Sequence, residues 1–185
     1  MSRELGKQLL YRFDKKEPRI GKETYISAHA LVIGNVEIGN NCYIGHGAIL
    51  RGDYGSIIIG SGAAVEEGVI VHAPPDKVSL IGEKVTIGHG AIVHSAIIGG
   101  FSVIGMGAVL SIYSEIGKNT IIAEGSVVKM RQIIQDSVVA GGNPAKIIRK
   151  IAPKDEEYWG MAKQLYIDLA KKYLAIGMQE IIFSP

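Results

Sequence analysis

Aliphatic residues recur at every sixth position along most of this chain. One series runs Ile20, Ile26, Val32, Ile38, Ile44, Leu50. A second runs Ile59, Val65, Val71, and a third Ile81, Ile87, Val93. The fourth is the cleanest: Ile98, Ile104, Leu110, Ile116, Ile122, Val128. Glycine follows the aliphatic residue at Gly21, Gly39, Gly45, Gly60, Gly82, Gly88, Gly99, Gly105 and Gly117. A helix repeats about every 3.6 residues and a strand every two. Six is a multiple of two, but the glycines come too often for long strands. The pattern predicts short strands with a turn at every sixth residue. Three such strands close a triangular coil of about eighteen residues, and coils stack at about 4.8 Å, the spacing of paired strands. The aliphatic residue points inward, and the glycine supplies the backbone freedom or the lack of bulk that a corner demands. An ordinary antiparallel sandwich does not generate this period.

The register slips in three places. "RGDYGSIII" separates Leu50 from Ile59, "HAPPDKVSL" separates Val71 from Ile81, and the step from Val93 to Ile98 is five residues. Slips in a solenoid place loops on its surface, where function often lives. The polar and titratable residues gather at these slips.

After "GGNPAK" the repeat ends. From about Pro153 the chain reads as a helix, with Tyr158, Ala162, Leu165, Leu169, Tyr173 and Ile176 forming one apolar stripe. Asp155, Glu156 and Glu157 suit its N-terminal end, Lys171 and Lys172 its C-terminal end, and Gly177 its stop. Trp159, beside the stripe, is expected to pack. The domain reading is therefore an N-terminal segment over 1–19, a β-helix over 20–150, and a C-terminal helix and tail over 151–185 packing on it. The fold class is mainly β.

Composition narrows the function. The formal net charge of +2 is too small to point to nucleic acid or an anionic membrane. The basic cluster Lys146, Arg149, Lys150 reads as a solvated face. A single cysteine, Cys42, excludes an intrachain disulfide. The charged N-terminus does not read as a signal peptide, and no stretch of about eighteen apolar residues suggests a membrane span. A cytoplasmic location is expected.

The segments "LRGDYGSIIIG", "VIVH", "IGHGAIVH" and "VAGGNPAKIIRKI" resemble the γ-class carbonic anhydrases, a branch of the hexapeptide-repeat, left-handed β-helix proteins. The similarity runs from about Ile20 through the terminal helix. The "RGDYG" form also resembles the branch near the carnitine- and phenylacetate-pathway members, where thioesterase activity or a helper role is known. The left-handed sense of the coil and a homotrimer come from the resemblance; the period shows neither.

The resemblance implies reversible hydration of CO2 to bicarbonate by metal-bound hydroxide at a subunit interface. Neutral imidazole is a good ligand for Zn²⁺, and a catalytic zinc site takes three protein ligands and keeps one position open. His72, His89 and His94 make that count. His89 and His94 are an odd number apart and would lie about 16 Å apart on a straight strand, so one chain would need a sharp corner to bring both to one ion. The family's arrangement takes the residues matching His72 and His94 from one protomer and that matching His89 from the next. One divalent metal per subunit interface follows, zinc being expected and iron or cobalt the alternatives. His29 and His46 have no ligand role.

Arg51 and Asp53 share one face of an extended strand. Family residues matching them form a charged pair between subunits near the metal. Arg51 is suited to hold bicarbonate, and Asp53 to orient a histidine or the arginine; trimer cohesion is the competing role. Where many members have "NIQDG", this chain has "AVEEG", Ala64 to Gly68. The family's glutamine, which hydrogen-bonds the metal-bound water, aligns with Glu66, whose carboxylate is suited to act as base or proton relay or to repel bicarbonate. The short "APPDKVS" segment offers only Asp76 as a proton shuttle. Three functions stay open: carbonic anhydrase, acyl-CoA thioesterase or acyltransferase on a small thioester, and a non-catalytic trimeric helper.

Overall fold

The computed structural model describes residues 8–179 and 181. It is a parallel β-helix closed by three flat faces, with one helix laid along one of them. The first face stacks Ile49–Arg51 on Ile70–His72, Ile92–His94, Val109–Leu110 and Val127–Val128. The second stacks Ser56–Ile59 on Val78–Ile81, Ile97–Ile98, Glu115–Ile116 and Ile133–Ile134. The third runs from Tyr25–Ile26 through Tyr43–Ile44, Ala64–Val65, Thr86–Ile87, Val103–Ile104 and Ile121–Ile122 to Val138–Gly141. Lys146–Lys150 returns antiparallel to Val138–Gly141 and ends the stack. Leu9–Tyr11 and Arg19–Ile20 pair with Leu31–Ile38 at the other end.

The six-residue series forms the core. Every member is buried except Ile20, 36 % exposed on an outermost coil with a neighbour on one side only. The fourth series continues through Ile134 and Ala140, both buried. The glycines that follow are there for want of bulk. A Cβ on Gly82 would lie 2.5 Å from the Gly100 nitrogen, and one on Gly60 equally close to the Glu83 nitrogen. Neither has a positive φ; the left-handed corner positions fall elsewhere, at residues such as Gly125.

The three slips stack on one edge, between the first and second faces. At the first slip there is no loop: Ile49–Ile59 is one continuous strand, bonded to Ile70–His72 through its first part and to Val78–Ile81 through its last. On the next coil the two strands are separated by Ala73–Lys77, and on the one after by Ser95 and Ala96. The Ser95 N–H donates to the His72 carbonyl across these coils.

α1, Pro153–Ile176, starts where expected: the Ala152 N–H donates to Asp155 Oδ2 at 2.8 Å, and Arg149 bridges the same carboxylate. The Gly177 N–H donates to the Tyr173 carbonyl at its end. Its buried stripe is rotated from the expected one. Lys163 and Ala170 are buried; Tyr166, Leu169, Tyr173 and Leu174 pack against Tyr25, Tyr43 and Ala64 of the third face. Tyr158, Leu165 and Ile176 are exposed. The face beneath α1 offers tyrosine rings, and the helix turns its own tyrosines to them: Tyr25 and Tyr173 stack with centroids 4.5 Å apart. Trp159 packs edge-on to Tyr158. Among the described residues, no helix is long and apolar enough to cross a membrane.

Candidate metal centre

Parallel pairing puts chemistry in columns. Arg51 is the register partner of His72, and His72 of His94. All three point outward at the end of the first face, because the inward residues on either side are Leu50, Val71 and Val93. The two imidazoles stack with centroids 5.1 Å apart and planes 23° apart. His72 and His94 are 22 residues apart, one eighteen-residue coil plus the four residues the second slip inserts.

Asp53 joins them from the first slip. Its Oδ2 accepts from Arg51 at 2.8 Å, its Oδ1 accepts the Tyr54 N–H at 2.9 Å, and Oδ1 lies 3.8 Å from His72 Nε2. Burial alone would raise the Asp53 carboxyl, but these hydrogen bonds and the Arg51 charge hold it below the usual range. The His72 pKa is lowered as well, which here favours the neutral form. Burial, then the Arg51 cation, then His94 lower its pKa, against the smaller pull of Asp53. Neutral imidazole is the form that binds a metal.

His89 stands apart, at the turn where the third face passes to the first; the strand Ile92–His94 separates it from His94. Two carboxylates of the coil below hold it. His89 Nε2 lies 3.1 Å from Glu66 Oε2 and Nδ1 lies 2.8 Å from Glu67 Oε2. The His89 N–H also donates to Glu66, at 3.2 Å. Glu66 is 5 % exposed, and burial raises its pKa against the lowering effects of the Tyr166 hydroxyl and His89. For Glu67, burial is outweighed by the Tyr43 hydroxyl, which donates to Oε1 at 2.7 Å, and by other favourable contacts, so its pKa is lowered.

Within one chain, then, Arg51, Asp53, His72 and His94 come together, and Glu66 and His89 come together elsewhere. Among the described residues no group of three His, Cys, Asp or Glu side chains is placed to hold a metal ion. Sequence reasoning missed Glu67, Tyr43 and Tyr166. Glu67 was within reach: it is 22 residues before His89, the same offset that pairs His72 with His94. The tyrosines carry no such signal.

Comparison with known proteins decides the family. Residues 17–52 match the model of the bacterial transferase hexapeptide, six repeats. The chain is 39 % identical over 160 residues to the carnitine operon protein CaiE of Proteus, covering 86 % of this chain and 81 % of that one. The chain belongs to the hexapeptide-repeat family. Within that family it is 36 % identical over 169 residues to the mitochondrial γ carbonic anhydrase 2 of Arabidopsis thaliana, over 88 % of this chain and 60 % of that protein. The hexapeptide chain thus spans less than two thirds of that plant relative. Among solved structures, a putative acetyltransferase of Bacillus cereus superposes with a TM-score of 0.88 at 29 % identity, over 90 % of this chain and 96 % of that one. A hexapeptide transferase family protein of Anaplasma phagocytophilum gives 0.86 at 29 % identity, over 90 % and 98 %.

Proposed function

We propose that this protein is a γ-class carbonic anhydrase-like enzyme whose metal site forms between copies of the chain. The observation that carries the reading is the split of the donor set. Two register-paired imidazoles lie on one edge of the first face and a third imidazole lies on its other edge. The residues present suit a divalent metal: His72 and His94 are side by side, and the shift on His72 favours its neutral, ligating form. His72 and His94 of one protomer with His89 of the next would hold the ion, one His89 ring nitrogen giving up its carboxylate contact to do so, Nε2 that to Glu66 or Nδ1 that to Glu67. Apolar side chains on the first face support such a homotrimer: Ile70 and Ile92 stack as register partners and stay exposed in the single chain. Turning three first faces inward covers them and brings each His89 edge to a neighbour's His72–His94 edge.

A metal held there would lower the pKa of water to about 7 and so supply a nucleophile at neutral pH. This chain's own groups do the rest. The Arg51 guanidinium, fixed by Asp53, presents its remaining N–H groups to bicarbonate. Asp53 Oδ1 lies 3.8 Å from His72 Nε2, too far for a hydrogen bond, so the part of Asp53 is to hold Arg51 beside the imidazoles. The Glu66 carboxylate holds the His89 backbone and ring in place, and its raised pKa suits it to take and return a proton at Oε2. The likeness to hexapeptide transferases supports a second reading, hydrolysis of a small acyl-CoA thioester by the same groups. Coenzyme A phosphates would not find Arg149 free, since it forks onto Asp155 at 2.5 and 3.0 Å.

The test is one preparation, purified without oxygen, divided between elemental analysis, a CO2 hydration assay and release of free thiol from acyl-CoA esters. The proposal expects about one metal per chain and metal-dependent hydration. Thiol release without hydration would transfer the site to the second reading; metal without turnover on either substrate would leave a scaffold.

A further inference from the structure

The column that carries His89 is polar with one exception. At the corner between the third and first faces, His46, Glu67, His89, Met106 and Glu124 stand on successive coils, each before a glycine of positive φ. The N–H of Gly68 donates to the His46 carbonyl, that of Gly90 to Glu67, that of Gly107 to His89 and that of Gly125 to Met106. Met106 therefore stands one coil above His89, towards the C-terminal end of the stack, at the strand spacing of about 4.8 Å. It is 52 % exposed. α1 extends this apolar spot. Tyr166 turns its hydroxyl to Glu66 at the same corner, while Trp159 lies on the other flank of the helix with Phe101. Leu165 and Tyr158 follow on the corner side of Tyr166, each 61 % exposed.

The facing column changes in the same direction. Above His94 the outward position passes to Ser111 and then Lys129, because Val93 pairs with Leu110 and Leu110 with Val128. The charged groups gather below the imidazoles instead. Arg51 and Asp53 lie beneath His72, and Glu66 and Glu67 beneath His89. Above, charge returns only on the second coil, at Glu124 and Lys129. The site is charged on one side and apolar on the other.

We propose that Met106 forms the wall against which a small apolar substrate lies, so that CO2 meets the shared site from the side of the last coils while bicarbonate is held on the side of Arg51. The inference rests on the carbonic anhydrase reading and deepens it. CO2 carries no net charge and no hydrogen-bond donor, so an exposed, polarizable thioether suits it. The same thioether has no donor to offer the oxygens of bicarbonate, whereas the Arg51 fork does. Met106 is a specificity residue and takes no part in proton or bond transfer.

Nitrous oxide is the probe, a linear apolar molecule of the size of CO2 that neither reacts nor acidifies the buffer. The full chain is labelled with methyl-13C methionine, and the Met106 signal is assigned by its loss in Met106→Leu. Under rising gas pressure the Met106 methyl should shift along a binding curve, with the methyls of Met130 and Met178 as references. Neither metal nor turnover is needed, so this titration decides the wall even where absent metal and absent hydration strike the carbonic anhydrase reading. Met106→Gln keeps the length and adds polarity. Its KM for CO2 should rise at least about fivefold, with metal content and KM for bicarbonate unchanged; the gas titration on the unaltered chain stands should this variant fail to fold. The proposal is overturned by a Met106 methyl that shifts no more than the two references, or by an unchanged KM for CO2 in a folded Met106→Gln.

Discussion

His72 and His94 end adjacent parallel strands in exact register, and their imidazoles stack with centroids 5.1 Å apart. Two donors on neighbouring strands move as one rigid unit, which is what a metal site needs from its supports. Replacing either by alanine is predicted to weaken metal binding by more than about 100-fold, since losing a ligand costs more than losing a ligand's outer partner. Both side chains are half-buried and neither belongs to the aliphatic core, so the stability of the metal-free chain should move by about 1 kcal/mol at most. Metal-buffered titrations and urea melts check the two halves. Unchanged metal affinity would remove these residues from the site.

Among the described residues Arg51 is held by Asp53 through one guanidinium nitrogen, and the rest of the fork has no hydrogen-bond partner there. Arg51→Lys keeps the charge and loses the fork, so kcat/KM for bicarbonate dehydration should fall at least about tenfold. Stopped-flow measurement with a pH indicator reads this. Wild-type kinetics in Arg51→Lys would mean that the charge alone matters.

Glu66 holds His89 at both its backbone and its ring. Removing it in Glu66→Ala should weaken metal binding about 10- to 100-fold. Glu66→Gln keeps an acceptor oxygen and should recover most of that loss, while shifting the pH profile of kcat. Equal affinity in Glu66→Ala and the wild type would show that the contact does not position the ligand.

Glycine is needed for two different reasons. Gly82 faces the Gly100 nitrogen of the next coil, where a Cβ would sit 2.5 Å away, whereas Gly125 has open space and a φ of +64°. Gly82→Ala must push coils apart and should cost about 3 kcal/mol or more. Gly125→Ala pays only for its left-handed backbone, about 1–2 kcal/mol. Urea denaturation of the pair ranks them; the reverse order would contradict the stacking account.

Lys163 makes stability depend on pH. Its folded pKa of about 8 lies below the ordinary 10.5. Between those values the unfolded chain binds the proton that the folded chain has lost, so stability rises with pH across that window. The penalty is fully present below the folded pKa. Lys163→Met removes it and should be more stable at pH 7 by up to about 3 kcal/mol, the gap narrowing as pH rises from 8. Melts of both proteins at pH 7 and 9.5 test this; a constant gap would contradict it.

The inward aliphatic residues were legible because their spacing is set by one coil, a local property of the backbone. The role of the glycines was half legible: composition shows where bulk is absent, but only stacking shows that the next coil's backbone is the obstacle at Gly60 and Gly82. The slips were visible, yet that all three fall on one edge depends on which corner each occupies, and the continuous strand Ile49–Ile59 carries no loop residue to mark it. The helix stripe was misplaced because Tyr158, Leu165 and Ile176 satisfy helical spacing as well as the true set does. Tyr25 and Tyr43 on the third face chose between them. Lys163 had no signal, since a lysine in an amphipathic helix ordinarily marks the solvent side.

The central claim is that each metal site draws on two chains. His89→Ala and His94→Ala are each predicted to be inactive as pure oligomers. Coexpressed, they assemble interfaces that pair the intact His72 and His94 of one variant with the intact His89 of the other. Random mixing should then restore about a quarter of the wild-type CO2 hydration and metal content. Mixed oligomers with no recovered activity and no recovered metal would contradict a site shared between subunits.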